Sequence, residues 1–139
     1  MPRAPKYAFA DTAQQVVGGF LLAGPFVVTE EVWTLASNMG WTNTLVTTAI
    51  VFAIGYGALY EADDDRDPDR EAEVGGVPLR FLSLMVVSFG SVLVLGLAFT
   101  APTTFVDGPP ETVATVTLKA TSVGAIFSVV GAATADSVF

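Results

Sequence analysis

The stretch Phe81-Leu82-Ser83-Leu84-Met85-Val86-Val87-Ser88-Phe89-Gly90-Ser91-Val92-Leu93-Val94-Leu95-Gly96-Leu97-Ala98-Phe99-Thr100-Ala101-Pro102-Thr103-Thr104-Phe105 holds no charged residue. A helix over it, rising ~1.5 Å per residue, is long enough to cross the ~30 Å hydrocarbon core of a bilayer. A helix of a soluble bundle would set charge on the face opposite its apolar stripe, and no face here carries any. Leu79 to Val87 also lacks the two-residue alternation of an outer-membrane barrel strand. A lipid-embedded helix is what remains.

Three more such stretches lie to either side: Gln14 to Thr29, extended by Val32 to Ala36; Thr42 to Tyr60; and Thr112 to Ala135, interrupted only by Lys119. Helices are therefore expected over residues 13–37, 42–60, 79–102 and 112–135. They take up most of the 139 residues, 52% of which are hydrophobic and 14% charged, against about 25% charged in soluble domains. The expected fold is all-α: an integral membrane bundle of four transmembrane helices in a single domain, with the lipid bilayer as its first partner. A cleaved secretory signal is a poor fit to the first segment, since Pro25, Glu30 and Glu31 interrupt it and no small-residue cleavage pattern follows cleanly, and a retained crossing is expected.

Fourteen acidic residues against six basic ones give a net charge of −8, with no basic patch to neutralise phosphates, so nucleic acid is not an expected partner. The chain has no Cys and no His. Thiolate nucleophiles, imidazole bases and Cys/His metal sites are thereby absent, and no enzyme, cofactor or metal site is expected. Arg3 and Lys6 fall on the N-terminal arm and Arg66, Arg70 and Arg80 on the long link between the second and third crossings, while Ser37–Trp41 and Thr103–Glu111 hold no basic residue. The positive-inside rule then puts both termini and the 61–78 loop in the cytoplasm of a multi-pass plasma-membrane protein. Between Glu61 and Glu73 that loop carries eight acids and two arginines, too polar to fold alone, and it reads as a mobile hairpin. Acid-rich, lysine-poor loops suit a salty cytoplasm and hint at a halophilic source. Hydration explains Asp63-Asp64-Asp65; a loose cation site is the alternative, though the Gly and terminal Glu of an EF-hand are not at their positions.

Charges inside a bilayer cost about 2.5–3.5 kcal/mol each, so those within the spans are the first candidates for function. Along a straight first helix ending at Ala36, Glu30 and Glu31 lie roughly 8–9 Å below its outer end, and Lys119 lies about 10 Å below the outer end of the fourth. The matching depths predict an ion pair between Lys119 and Glu30 or Glu31. Adjacent carboxylates sit 100° apart on a helix, so one is left over for a cation or a proton. A register-fixing staple is the structural alternative, and plain exposure at the outer interface is a third, with Trp33 and Trp41 as aromatic anchors.

Pro25, after Gly24, leaves the Leu21 carbonyl without a donor and should kink or open the first helix. Such breaks recur at transporter sites and equally in ordinary packing. Ala120, Gly124, Ser128, Ala132 and Asp136 recur at four-residue steps as a small-residue ridge, matched by Gly18, Gly19 and Ala23 on the first helix. The ridge serves either intramolecular packing or a second subunit, as does the Ser83, Gly90 and Ser91 surface. A pore through four short helices would need a homo-oligomer or a membrane partner protein. Asp136 is either a helix-end charge facing cytoplasm or the partner of Arg80, and the pair is the favoured reading.

Gly18-Gly19-Phe20-Leu21-Leu22-Ala23-Gly24-Pro25-Phe26-Val27-Val28-Thr29-Glu30-Glu31-Val32-Trp33 resembles the Gly-Gly, Pro, Thr-x-Glu-x-Trp pattern of an integral membrane family, domain of unknown function 2391 (DUF2391), found in haloarchaea and bacteria. The resemblance implies a membrane protein over most of the chain, through the Arg80 to Pro102 and Lys119 to Asp136 helices. It lends weight to Pro25, Glu31 and Trp33 and implies no activity. Two functions are then open: moving or sensing an ion or small solute through Glu30, Glu31 and Lys119, or serving as a structural or interaction subunit of a membrane complex.

Overall fold

The structure is a computed structural model that describes residues 9–61 and 73–138. The first helix, α1 (Phe9–Val27), is followed by α2 (Glu30–Asn38) and α3 (Trp41–Tyr56), which continues as a π-helical turn, Gly57–Glu61. A hairpin of β1 (Glu73–Val74) and β2 (Val77–Pro78) leads into α4 (Leu79–Ala98), a short α5 (Ala101–Phe105) and α6 (Pro110–Val138). Among the described residues, three stretches are long and apolar enough to cross a membrane, Trp41–Tyr60, Leu79–Ala98 and Pro110–Ser137, and the bent pair of α1 and α2 makes a fourth when taken as one span.

Two of the expected helices are each divided. The 13–37 helix is α1 and α2, which meet at an angle of 81°. Without an N–H, Pro25 cannot hold the last turn to Leu21, and α1 ends two residues later. Thr29 secures the corner, its Oγ1 and its backbone N–H donating to the Phe26 carbonyl at 2.8 and 3.2 Å. The 79–102 helix is α4 and α5, separated at Thr100, whose φ of 56° is the left-handed conformation that ends a helix. The 61–78 loop is ordered at its end: Val74 pairs with Val77 across Gly75 and Gly76. Their φ values of 61° and 86° are those of a tight two-residue hairpin turn, which suits glycine. Asp63-Asp64-Asp65 and the basic residues Arg3, Lys6, Arg66 and Arg70 lie outside the described residues.

Asp11, Arg80 and Asp136 meet at one end of the bundle, so α1 and α4 start where α6 finishes. Val27, Trp33, Val106 and Val116 share a core cluster at the other end. Between the ends, α1, α4 and α6 pack tightly. A Cβ on Gly18 would collide with the Gly131 carbonyl, and one on Gly131 with the Gly18 carbonyl, so the two backbones touch in the manner of small-residue membrane interfaces. The ridge of α6 is spent within this chain: Ala120, Ser128 and Ala132 are buried, Gly124 abuts Val92 of α4, and Ser128 abuts Gly19 of α1. Ser83 and Ser91 of α4 also point into the bundle rather than at a neighbour. Phe26 stacks on Phe127 with ring centroids 3.8 Å apart. The outlying helix is α3, with 17% of its span buried, and it seats Val51, Gly55 and Leu59 against α4 and α6.

Candidate functional site

The expected cluster of Glu30, Glu31 and Lys119 is taken apart by the bend. Both glutamates fall in the first turn of α2 and are exposed. Lys119 instead donates to the Met39 carbonyl at 2.7 Å and lies 4.8 Å from the centre of the Trp41 ring. Among the described residues it forms no ion pair with either glutamate. Counting depth along a straight helix fails because the chain turns before Glu30, and α2 crosses the end of the bundle instead of extending α1. Met39 is the C-cap of α2, so the lysine sits at the negative end of that helix dipole and the two glutamates at the positive end. These three residues neutralise one helix from opposite ends.

The two tryptophans also divide. Trp41 is exposed, as an interface anchor would be, whereas Trp33 is 3% exposed. The Trp33 indole N–H donates to the Val27 carbonyl at 2.9 Å, satisfying the last turn of α1, and its ring faces Phe105. Trp33 is thus a plug over the ends of α1 and α4, not an anchor in lipid. Gly24 beside the proline has nothing within 4 Å of where a Cβ would stand.

The charged groups that the structure does bring together lie at the opposite end. Arg80 opens α4 and is 1% exposed. Its Nη1 donates to Asp136 Oδ1 at 2.7 Å and its Nη2 to Asp11 Oδ2 at 3.4 Å. Gln15 donates through Nε2 to the other Asp136 oxygen at 3.1 Å, and its Oε1 accepts from Ser83 Oγ at 2.7 Å. Thr12 Oγ1 stands 3.1 Å from the same serine hydroxyl. A desolvated ion pair is tolerable only when its remaining lone pairs and protons are satisfied, and this mesh supplies the partners.

The Asp136 side chain is fully buried, while that of Asp11 is 20% exposed and forms the mouth of the cluster. Deeper in the bundle the polar groups continue: Gln15 precedes Gly19 by one turn, Ser128 Oγ donates to the Gly19 carbonyl at 3.3 Å, and Ser91 Oγ lies against the same glycine. Beyond it the interior is the apolar cluster of Ala23, Val27, Trp33 and Val92. The result is a polar seam open at one end of the bundle and closed by hydrocarbon toward the other.

Sequence reasoning places Arg80 and Asp136 together and reads Ser83 as part of a packing or subunit surface, but passes over Asp11, Thr12 and Gln15. Their signal is present: Asp11, Gln15 and Gly19 recur at four-residue steps, one face of α1. Gly131 is also passed over, although it lies seven residues from Gly124 on the same side of α6.

A family model described as "Putative integral membrane protein (DUF2391)" matches residues 2–138, nearly the whole chain. No curated protein and no solved structure matches it.

Proposed function

The chain belongs to the DUF2391 family of integral membrane proteins, and on that premise we propose that it is a non-enzymatic protein that senses or moves an ion at the Arg80 end of its bundle. The observation that supports this is the seam itself. A buried Arg80–Asp136 pair communicates with a part-exposed carboxylate, Asp11, and with polar groups reaching Gly19 between three helices. Ionisable groups held inside a membrane bundle are costly and commonly mark ion or proton paths. By the positive-inside rule this end faces the cytoplasm.

A second reading, a subunit of a larger membrane complex, draws on α3. Only 17% of that span is buried, and Leu45, Val46, Ile50 and Phe52 are exposed along it; in this reading they meet a partner protein or a second copy instead of lipid.

Proteoliposomes distinguish the two. Proton and cation flux, together with the dependence of melting temperature on pH and on salt, is measured for the native chain, Asp11→Asn and the double variant Glu30→Gln/Glu31→Gln. Flux or an ion-dependent melting shift that Asp11→Asn removes and the glutamate variant keeps supports the ion reading. Neither effect in any sample, with a fixed protein co-purifying, overturns it in favour of the subunit.

A further inference from the structure

We propose that a phospholipid acyl chain, carried on a headgroup that bears an amine, occupies a groove at the end of the bundle opposite Arg80; the proposal stands apart from the ion reading above and rests on the chain being a membrane protein. The groove, about 670 Å³ in volume, follows from how α4 ends. That helix stops at Ala98, the left-handed φ of 56° at Thr100 turns the chain aside, and α5 runs for five residues. Past this corner α6 continues. Along its first turns Pro110, Val113, Ala114, Thr117 and Leu118 line the groove, at the i, i+3, i+4, i+7 and i+8 spacing of a stripe that faces a packing partner. The core-facing side of the same turns is a different one, with Val116 and Ala120 buried in it. Opposite the stripe stand Leu97 at the tip of α4 and Pro102 and Thr103 of α5.

The walls select an apolar occupant. Their two hydroxyls are spent on nearby carbonyls, Thr117 Oγ1 donating to Val113 O at 2.7 Å and Thr103 Oγ1 to Thr100 O at 3.3 Å, and a space with apolar walls does not hold water. Leu97 and Leu118 line the groove and are 58% and 57% exposed, so it opens sideways and is continuous with the surface that meets lipid. From Pro110 to Leu118 it runs about 12 Å along α6, most of the ~15 Å of hydrocarbon in one leaflet. An acyl chain lying beside α6 covers that length. The volume spread over it gives a cross-section of about 56 Å², below the ~80 Å² of a helix 10 Å across, so a helix of a second copy does not sink into it. The mouth selects the headgroup. Gly108 and Pro110 line it, and the exposed Asp107 and Glu111 are their immediate neighbours, one Cα spacing of ~3.8 Å away. Residues 103–111 hold no basic side chain. Two carboxylates there repel an anionic headgroup and attract an ammonium.

Photolabelling tests this with the full chain in vesicles of equal parts phosphatidylethanolamine and phosphatidylglycerol, doped with one or the other lipid carrying a diazirine in its acyl chain. Mapped by peptide, labelling per exposed apolar residue should be higher over residues 110–118 than over α3, where the exposed Leu45 and Ile50 serve as reference. Ala114→Phe, which fills the groove from α6, should lower the groove label about tenfold and leave the α3 label unchanged. Thr103→Phe, which fills it from α5, should do the same and serves if the first variant does not fold. The ethanolamine probe should label the groove more than the glycerol probe, and Asp107→Asn/Glu111→Gln should erase that preference while the groove stays labelled. Groove labelling equal to that of α3, or unmoved by both filling variants, overturns the acyl-chain site. Equal labelling by the two probes in the native chain overturns the headgroup assignment. Because the chain has no cysteine, Thr103→Cys can link only to its like on another copy; rapid disulfide formation with an unlabelled groove would give the site to a second copy and overturn the lipid.

Discussion

Lys119 of α6 donates to the backbone carbonyl of Met39, 80 residues earlier in the chain, at 2.7 Å. The carbonyl terminates α2, so a cation that sequence depth pairs with Glu30 or Glu31 is bound to the far end of the helix those glutamates begin. The exposed Trp41 ring lies beside the ammonium, 4.8 Å from it at the ring centre, within cation–π range.

Replacing Lys119 by Met should free the Met39 carbonyl and loosen the end of α2, with a stability loss of about 1.5–3 kcal/mol for a hydrogen bond to a charged group. Glu30→Gln or Glu31→Gln should cost about 0.3–1 kcal/mol through the dipole. Since the lysine and the glutamates do not touch, Lys119→Met and Glu30→Gln should be additive in thermal unfolding. A coupling comparable to the single losses would restore the ion pair.

Breaking the buried pair at the other end should be far costlier. Arg80→Met or Asp136→Leu alone is expected to lose about 3–5 kcal/mol, because each strands a buried charge. The double variant should recover much of that loss, since no fully buried ion is then left uncompensated and Asp11, which loses its Arg80 contact, is part-exposed. Unfolding in mild detergent, run as a double-mutant cycle, measures the coupling.

The glycines separate cleanly by what surrounds them. Gly131→Ala should force α1 and α6 apart at the Gly18 carbonyl and cost about 1–3 kcal/mol or more. Gly24→Ala, with open space around it, should leave stability unchanged or raise it by about 0.4–1 kcal/mol. Melting temperatures of the two variants should therefore move in opposite directions or differ by many degrees.

Because the chain has no cysteine, a single introduced thiol reports its own side of the membrane. Asp64→Cys and Asp107→Cys should be labelled by an impermeant reagent from opposite faces, with Asp64 on the cytoplasmic one. Labelling of both from one face would defeat the four-span arrangement.

The greasy spans were legible from residues alone because transfer of a helix into lipid is close to a sum over its side chains, indifferent to which neighbours it later finds. Phe81 to Phe105 needs no partner to be recognised. The division of that stretch at Thr100, like the turn at Val28–Thr29, was less legible: proline and glycine mark where a helix weakens, but not the angle at which the chain leaves. Arg80 and Asp136 are placed at one end merely by counting spans, and the structure holds them 2.7 Å apart. Asp11 and Gln15 entered with the third dimension, since their meaning depends on the helices that face them.

Sequence by itself determined which segments lie in lipid and that their few charges must be compensated, both consequences of the cost of taking polar groups out of water. Tertiary structure decided which charge compensates which. An 81° turn and one backbone contact between Gly18 and Gly131 set the distances between helices, and pairing energies fall too steeply with distance to be assigned before those distances exist.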